Sequence, residues 1–142
     1  MKSSKWLNLS NMIILAGNPV IHIIDETGTL QIFADPLFEK VMNNLTDNTI
    51  RHGETASKVH ISVITESENI LIIWEDNGVG VPADKKEMIF HRGYGRNTGF
   101  GLFLIREILA ITGMTIKETG EPGMGARFEI TVPNGKWRFE GK

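Results

Sequence analysis

The chain of 142 residues contains no cysteine, which excludes disulfide bonds, thiolate metal sites and cysteine nucleophiles. It also lacks a large excess of charge, since 15 basic and 17 acidic residues leave a net charge of −2. This balance does not indicate nucleic acid or another polyanion as a partner. Long hydrophobic runs are missing as well: the apolar run near the start, Met12–Ala16, is shorter than the roughly 7–15 residues of a signal-peptide core or the roughly 20 of a membrane span.

Composition otherwise fits one globular domain covering residues 1–142. The hydrophobic share is 41% and the charged share 23%, both ordinary for a globular protein with a buried core. We expect a cytoplasmic domain without direct membrane contact, and this leaves open a parent protein that is membrane-attached. Fifteen glycines is a raised count, and most of them follow residue 77. This asymmetry predicts ligand-handling loops in the second half of the chain.

Hydrophobic periodicity and turn residues predict an α+β fold, a two-layer sandwich in which helices cover one face of a mixed sheet. Residues 1–33 form a lead-in helix and strands, residues 35–133 the core of the domain, and residues 134–142 a C-terminal tail after Pro133. The predicted elements are helices over 4–16, 35–52, 83–90 and 99–112, and strands over 20–24, 30–33, 59–63, 70–74, 115–118 and 126–132.

Two asparagines one turn apart mark the predicted helix 35–52. At about 100° per residue, Asn44 and Asn48 project within roughly 40° of each other at the edge of the core-facing surface, and Arg51 lies on the same side. An unpaired amide there costs about 1–3 kcal/mol, so both need partners. One interpretation is that they cap or bridge neighbouring loops. The other is that their side-chain carbonyls bind magnesium, which prefers oxygen ligands.

A carboxylate and several glycines follow this helix. Asp76-Asn77-Gly78-Val79-Gly80 comes directly after the apolar run 70–74, and a second glycine cluster occupies positions 93, 95, 99 and 101. Glycines allow a backbone to approach a ligand closely, and a carboxylate at a strand end accepts hydrogen bonds from it. Together with the paired asparagines, this order predicts a pocket for a nucleotide and magnesium.

At this point the sequence resembles the catalytic domain of sensor histidine kinases. The similarity extends from about Asp35 to Pro133, with all motifs in order. They are Asn44-x-x-x-Asn48, Asp76-x-Gly78-x-Gly80, the Phe90 segment, Thr98-Gly99-Phe100-Gly101-Leu102 and Gly123-Met124-Gly125-Ala126-Arg127-Phe128. The resemblance implies the Bergerat ATP-binding sandwich, which histidine kinases share with type II topoisomerases, Hsp90-like chaperones and mismatch-repair ATPases.

Carried over to this sequence, the resemblance implies ATP and Mg²⁺ as cofactors. Asn48 would coordinate magnesium, and Asn44 would support the same ion or a phosphate. Asp76 would accept a hydrogen bond from the adenine amino group. Arg96 would contact phosphate from a lid, the segment between Phe90 and Gly99. The other residues that the resemblance implies as nucleotide-binding are Gly78, Gly80, Phe90, Gly95, Thr98, Gly99, Phe100, Gly101 and Leu102. Arg51 and His52 are expected to bind the nucleotide because of their place on the asparagine helix, although His52 fits a capping role at the end of that helix equally well.

The same resemblance implies partners, because the chain itself offers no fitting phosphoacceptor. Family acceptors are a histidine followed by an acidic residue, and none of His22, His52, His60 and His91 has an acidic residue after it. We therefore expect a dimerisation and histidine-acceptor domain in cis or in trans, and a response regulator downstream.

Two alternatives stay open: a regulatory ATP-binding module without phosphoryl transfer, and a serine/threonine kinase of anti-sigma type. The second is disfavoured because kinases of that type resemble one another in carrying a glutamate base at the position of Asn44. An amide cannot accept a proton near neutral pH, so Asn44 cannot replace that base. The family pattern also differs at Thr49, where alanine is usual, and at Ala126, where threonine is common. Trp74 is interpreted as core packing.

Asp76 predicts a preference for adenine over guanine. Its carboxylate pairs with the amino donor of adenine but faces the carbonyl acceptor of guanine, which would leave it unpaired. We expect ATP to bind at least about tenfold more tightly than GTP, which is about 1.4 kcal/mol. Titration of the purified chain with each nucleotide measures this ratio, and equal affinities would refute the role of Asp76.

Overall fold

Two β-sheets organise the fold. A computed structural model describes residues 3–15, 21–52, 56–92 and 101–141. The strands are β1 (Lys5–Asn8), β2 (His22–Asp25), β3 (Leu30–Ala34), β4 (Lys58–Glu66), β5 (Asn69–Asp76), β6 (Thr115–Glu118), β7 (Arg127–Val132) and β8 (Trp137–Phe139). The helices are α1 (Leu9–Leu15), α2 (Phe38–His52) and α3 (Gly101–Ala110). No helix in these ranges is long and apolar enough to cross a membrane.

The larger sheet has five strands in the order β2-β4-β5-β7-β6. Strand β2 runs parallel to β4, and the other neighbours are antiparallel, so the sheet is mixed as predicted. The uniformly apolar run 70–74 forms most of β5, in the middle of the sheet, where both faces are covered. The alternating strand β4 and the hairpin of β6 and β7 also confirm their predictions.

Helices α2 and α3 pack together and share one hydrophobic core with this sheet. From β5, every second residue enters the core, namely Ile70, Ile72 and Trp74. The predicted cap at Asp35 is confirmed, since its carboxylate accepts the backbone N–H of Leu37 at 2.8 Å, but α2 itself begins at Phe38, three residues later than predicted. The shared core fixes α2 against the end of β5.

The smaller sheet corrects two predictions. Its order is β1-β3-β8, with both pairs antiparallel. Residues 4–16 are therefore not one helix: the first part is β1, in which Trp6 pairs with Phe33 across the ladder. The predicted tail 134–142 contains β8, where Trp137 pairs with Ile32. Local periodicity missed both strands because their partner, β3, lies elsewhere in the chain.

The segments around the lid differ from prediction in detail. Instead of one short helix, residues 83–90 form two 3-10 turns, Ala83–Lys85 and Met88–Phe90. Within the described ranges α3 covers Gly101–Ala110, so it ends two residues earlier than predicted. Gly113 closes it as expected: with φ of +76°, it lets the N–H of Met114 reach the Leu109 carbonyl at 3.0 Å.

A charged network covers part of the sheet face opposite the helices. The Glu129 carboxylate pairs with Arg127 and accepts the Thr119 hydroxyl at 2.8 Å, and Lys117 lies 4.0 Å away. Burial raises the pKa of Glu129, but the hydrogen bonds from Thr119 and Arg127 and the charges of Arg127 and Lys117 outweigh it and hold this pKa below its ordinary value. The ionised form of Glu129 thus stabilises the fold.

Replacement of Glu129 tests this network. Because its pKa is lowered on folding, its contribution is complete above the unfolded pKa of about 4.3 and is lost as the pH falls through the lowered folded value. Glu129→Gln should cost about 1 kcal/mol at pH 7 and should flatten the loss of stability below about pH 4.3. Urea unfolding between pH 3 and pH 7 measures this, with exposed Glu66→Gln as control. Parallel curves for Glu129→Gln and the wild type would contradict the prediction.

Candidate functional site

Asp76, the last residue of β5, accepts three hydrogen bonds from three parts of the chain. Its Oδ1 accepts the backbone N–H groups of Gly78 and Ala126, both at 2.9 Å. Its Oδ2 accepts the Thr49 hydroxyl from α2 at 3.2 Å. Asp76 is only 8% exposed, so these donors replace most of its water. The carboxylate therefore joins the sheet, the following loop and α2 at one point.

Glycines allow the two loops beside Asp76 to touch. A Cβ on Gly125 would lie 2.1 Å from the Asp76 carbonyl oxygen, and one on Gly80 would lie 2.9 Å from the Gly125 carbonyl oxygen. Both residues also have positive φ, +99° and +76°. The predicted glycine motif thus has a direct structural reason in this backbone contact, and the predicted approach of Gly78 and Gly80 to a base remains a prediction.

The two asparagines lie on α2 beside the start of α3. Asn44 donates its Nδ2 to the carbonyl of Gly101 at 3.3 Å, which leaves its Oδ1 for another partner. Asn48 follows one turn later, and both side chains are partly exposed. The structure thus places Asn44 beside Gly101, with Asn48 one turn further along α2, and the binding role of both asparagines stays a prediction. A cation bound here would have amide oxygens as protein ligands.

The other residues predicted to bind the nucleotide lie either at the edge of the site or outside the described residues. Arg51, in the last turn of α2, points to Asp47, with Nε and Oδ2 2.7 Å apart, and both side chains are largely exposed. His52 is the last residue of α2, and its side chain lies outside the described residues. The same holds for the residues predicted in the lid and at the phosphate motif, Gly95, Arg96, Thr98, Gly99 and Phe100.

Phe90 and Leu102 hold the described ends of the lid segment to the core. Phe90 is 1% exposed and meets Phe128 edge to face, with ring centroids 6.2 Å apart. The Arg106 guanidinium of α3 lies 4.7 Å from the Phe90 ring centroid. Leu102 packs against the core from the first turn of α3. Phe90 is thus held against β7 and α3, and its role as the anchor of a lid stays a prediction.

An ion pair that sequence reasoning missed fixes the loop after Gly80. The fully buried Glu118 side chain pairs with Lys86, and its Oε2 accepts the N–H groups of Gly120 and Arg127 at 3.2 and 3.0 Å. Lys86 also donates to the carbonyls of Val81 and Gly120, at 3.3 and 2.7 Å. A buried ion pair offsets the cost of removing its charges from water only when both groups also make hydrogen bonds, as Glu118 and Lys86 do here. The loops on both sides of Asp76 are thereby held to β6.

Sequence reasoning also underrated Thr49, Ala126 and Trp74. Thr49 departs from the family pattern, yet its hydroxyl donates to Asp76, whereas Ala126 donates through its backbone N–H, which does not depend on its side chain. Trp74 is core packing as interpreted, at 1% exposure, but its Nε1 also donates to Thr49 at 3.3 Å. A buried hydroxyl or indole N–H must find a partner, and this rule was the one available signal for Thr49 and Trp74.

Acidic and imidazole groups do not form a metal cage here. Among the described residues, no three His, Cys, Asp or Glu side chains are grouped to hold a metal ion. Asp76 is engaged by three donors, and Glu118 by Lys86 and backbone N–H groups. Any divalent cation at Asn44 and Asn48 would need further oxygen ligands from a bound anion and water. This donor set suits magnesium, which keeps several waters and binds phosphate oxygens.

Comparison with known proteins gives the family. Residues 34–136 match the family described as "Histidine kinase-, DNA gyrase B-, and HSP90-like ATPase". The alginate biosynthesis sensor protein KinB of Pseudomonas aeruginosa is 36% identical over 115 residues, covering 77% of this chain and 19% of that protein. Sensor protein KdpD of Escherichia coli is 30% identical over 145 residues, covering 91% of this chain and 16% of that protein. The chain thus spans less than a fifth of either relative.

Solved structures confirm the predicted fold. The mycobacterial sensor histidine kinase MprB superposes with a TM-score of 0.79 at 14% identity, covering 94% of this chain and 99% of that chain. The ATP binding domain of PrrB from Mycobacterium tuberculosis gives a TM-score of 0.77 at 22% identity, with the same coverage. At these identities the match establishes the α+β architecture.

Two glycines separate backbone strain from steric exclusion at the site. Gly123 and Gly125 both have positive φ, but a Cβ on Gly123 would meet nothing within 4 Å. Gly123→Ala should therefore cost only the strain of a left-handed residue, about 1 kcal/mol. Gly125→Ala should cost at least about 2 kcal/mol more, because the methyl group cannot share space with the Asp76 carbonyl. Urea unfolding of both variants measures the difference, and equal losses would refute the steric explanation.

Proposed function

Because this chain belongs to the family of histidine kinase-, DNA gyrase B- and HSP90-like ATPases, we propose that it is the ATP-binding catalytic domain of a two-component sensor histidine kinase. It binds Mg-ATP and donates the γ-phosphoryl to a histidine on a separate dimerisation and acceptor domain. The relatives KinB and KdpD are several times longer than the chain, so this domain would carry out one step of the activity of a longer kinase.

The observation that carries the proposal is the hydrogen-bonding state of Asp76. Its Oδ1 is fully used by two backbone donors, whereas among the described residues its Oδ2 accepts only the Thr49 hydroxyl. A carboxylate offers about four lone-pair sites, so one acceptor site remains on Oδ2. An exocyclic amino group of adenine is a donor that fits it. This supports base recognition at the end of β5.

Asn44 and Asn48 support magnesium binding at the phosphate end. The Nδ2 group of Asn44 is turned to the Gly101 carbonyl, so its Oδ1 is directed elsewhere. Bound magnesium would neutralise charge on the phosphate oxygens and orient the triphosphate. The chain's own contribution is to hold the two amide oxygens on one side of a rigid helix, next to the start of α3, where backbone N–H groups suit an anion.

The residue types favour transfer to an external acceptor over hydrolysis of water. Hydrolysing relatives resemble one another in carrying a glutamate base at the position of Asn44. Because an amide cannot take a proton near neutral pH, this site lacks that base. A neutral imidazole needs no such base, because it already presents a lone pair. Catalysis therefore consists of orientation and charge neutralisation, with Arg96 proposed as the lid cation.

The proposed partners are an acceptor domain, in cis or in trans, and a response regulator that takes the phosphoryl group from it. A cytoplasmic location follows from the need for ATP. The relatives support this context, since KinB and KdpD are themselves sensor proteins.

Calorimetric titration with a non-hydrolysable ATP analogue, with and without magnesium, tests the pocket. Asp76→Ala should lose about 1.5–3 kcal/mol of nucleotide affinity, the range for a hydrogen bond to a charged group. Because this change also leaves the N–H groups of Gly78 and Ala126 without their acceptor, the folding of the variant is verified by circular dichroism before titration. Asn48→Ala should remove the enhancement of binding by magnesium. The matched control is Asn43→Ala, since Asn43 is exposed on the same helix.

The outcomes separate the two ends of the pocket. Magnesium-enhanced binding that both Asp76→Ala and Asn48→Ala weaken, while Asn43→Ala does not, is the expected result. Unchanged binding in both variants would overturn the pocket assignment. A folded wild-type chain that binds no nucleotide would overturn the proposed function.

A further inference from the structure

Thr49 bonds differently from the other buried threonine of the same helix. Thr46, 4% exposed, donates its hydroxyl to the carbonyl of Met42 at 3.0 Å, the usual arrangement four residues back along a helix. Thr49, 1% exposed, instead donates across to the sheet, to Oδ2 of Asp76. Something other than helix geometry therefore determines where the Thr49 hydroxyl points.

The indole of Trp74 supplies that constraint. An indole N–H can only donate, and the Trp74 Nε1 donates to Thr49 Oγ1 at 3.3 Å inside the core. With one side of the hydroxyl oxygen occupied by this donor, its single proton is directed to the carboxylate, which only accepts. Trp74 and Asp76 lie two residues apart on β5, so they face the same side of the sheet and both reach Thr49. The order of donation is Trp74 to Thr49 to Asp76.

This chain of hydrogen bonds determines what Asp76 has left to offer. Gly78 and Ala126 saturate Oδ1, and Thr49 occupies one lone pair of Oδ2. The remaining lone pair of Oδ2 can accept one further N–H. The donors around it are backbone groups or a locked hydroxyl, so the carboxylate cannot rotate without breaking several bonds at once.

We propose that Thr49, held by Trp74, is a positioning residue for base selection: it fixes Asp76 so that a single Oδ2 lone pair is presented to the 6-amino group of a bound purine. This inference rests on the proposed nucleotide-binding function and deepens it. Thr49 does not touch the nucleotide. It acts through Asp76, and its removal changes which bases are preferred.

The test compares two nucleotides that differ only at this group. Purified chains are titrated with ADP and with purine riboside diphosphate, which lacks the 6-amino group, and the ratio of the two dissociation constants is measured. The wild type should prefer ADP by about tenfold, the worth of one hydrogen bond to a charged group. Thr49→Val, of similar shape but without a hydroxyl, should lower the preference to about threefold or less. Thr49→Ser should keep it.

Two further variants make the test specific. Thr46→Val removes the hydroxyl of the threonine that bonds within α2, so it should leave the ratio unchanged. Trp74→Phe keeps the Thr49 hydroxyl but removes the N–H that directs it. The hydroxyl can then turn to the carbonyl of Leu45, four residues back, and the ratio should fall. Trp74→Phe keeps the proposal testable if Thr49→Val does not fold.

A structural role alone would give a different result. If the Thr49 hydroxyl serves only as the acceptor for the Trp74 N–H, Thr49→Val lowers stability or lowers the affinities for both nucleotides equally. The ratio of the two dissociation constants then stays at its wild-type value. An unchanged ratio in folded Thr49→Val, or in folded Trp74→Phe, would overturn the proposal. If Asp76→Ala also keeps the ratio, or if the folded wild type binds neither nucleotide, the proposed function fails together with this inference.

Discussion

The site depends on one buried carboxylate. Asp76 ends the central strand and accepts bonds from the loop that follows it, from Ala126 just before β7 and from α2. A carboxylate at 8% exposure without donors would cost several kcal/mol, so these three parts of the chain are held in register around it. Through Thr49 the carboxylate also sets the position of α2, and Asn44 then links α2 to the first residue of α3.

Much of the fold is local enough to predict from the sequence. The alternation over 59–63 and the uniformly apolar run 70–74 identify β4 and β5, because half-buried and fully covered strands have different patterns. The Asp35 cap and Gly113 mark helix ends through bonds to nearby residues. Strands β1 and β8 could not be predicted in this way. Each is short, and each becomes a strand only by pairing with β3.

The residues of the site also divide into those that local sequence patterns identify and those that depend on long-range contacts. Asp76, the glycines and the asparagines were predictable because their motifs are short and follow one another in order. The bonds from Thr49 and Ala126 to Asp76 were not, since they join residues 27 and 50 positions apart, and the bond from Trp74 to Thr49 spans 25 positions. Only the register of β5 with β7 and the placement of α2 create them. A threonine in place of alanine, minor as a sequence difference, becomes a donor to the central carboxylate in this environment.

The position of β3 bears on how the chain can be synthesised. Strand β3 is the middle strand of the small sheet, flanked by β1 on one side and by β8 on the other, with Leu30 opposite Phe139. During translation β1 is available at once, but the second edge of β3 stays unpaired until nearly the whole domain has left the ribosome. The unpaired backbone N–H and C=O groups of an open strand edge can pair with a strand of another chain. Nascent chains that stop short of Trp137 therefore expose Leu30–Ala34 as the place where association between unfinished copies would begin.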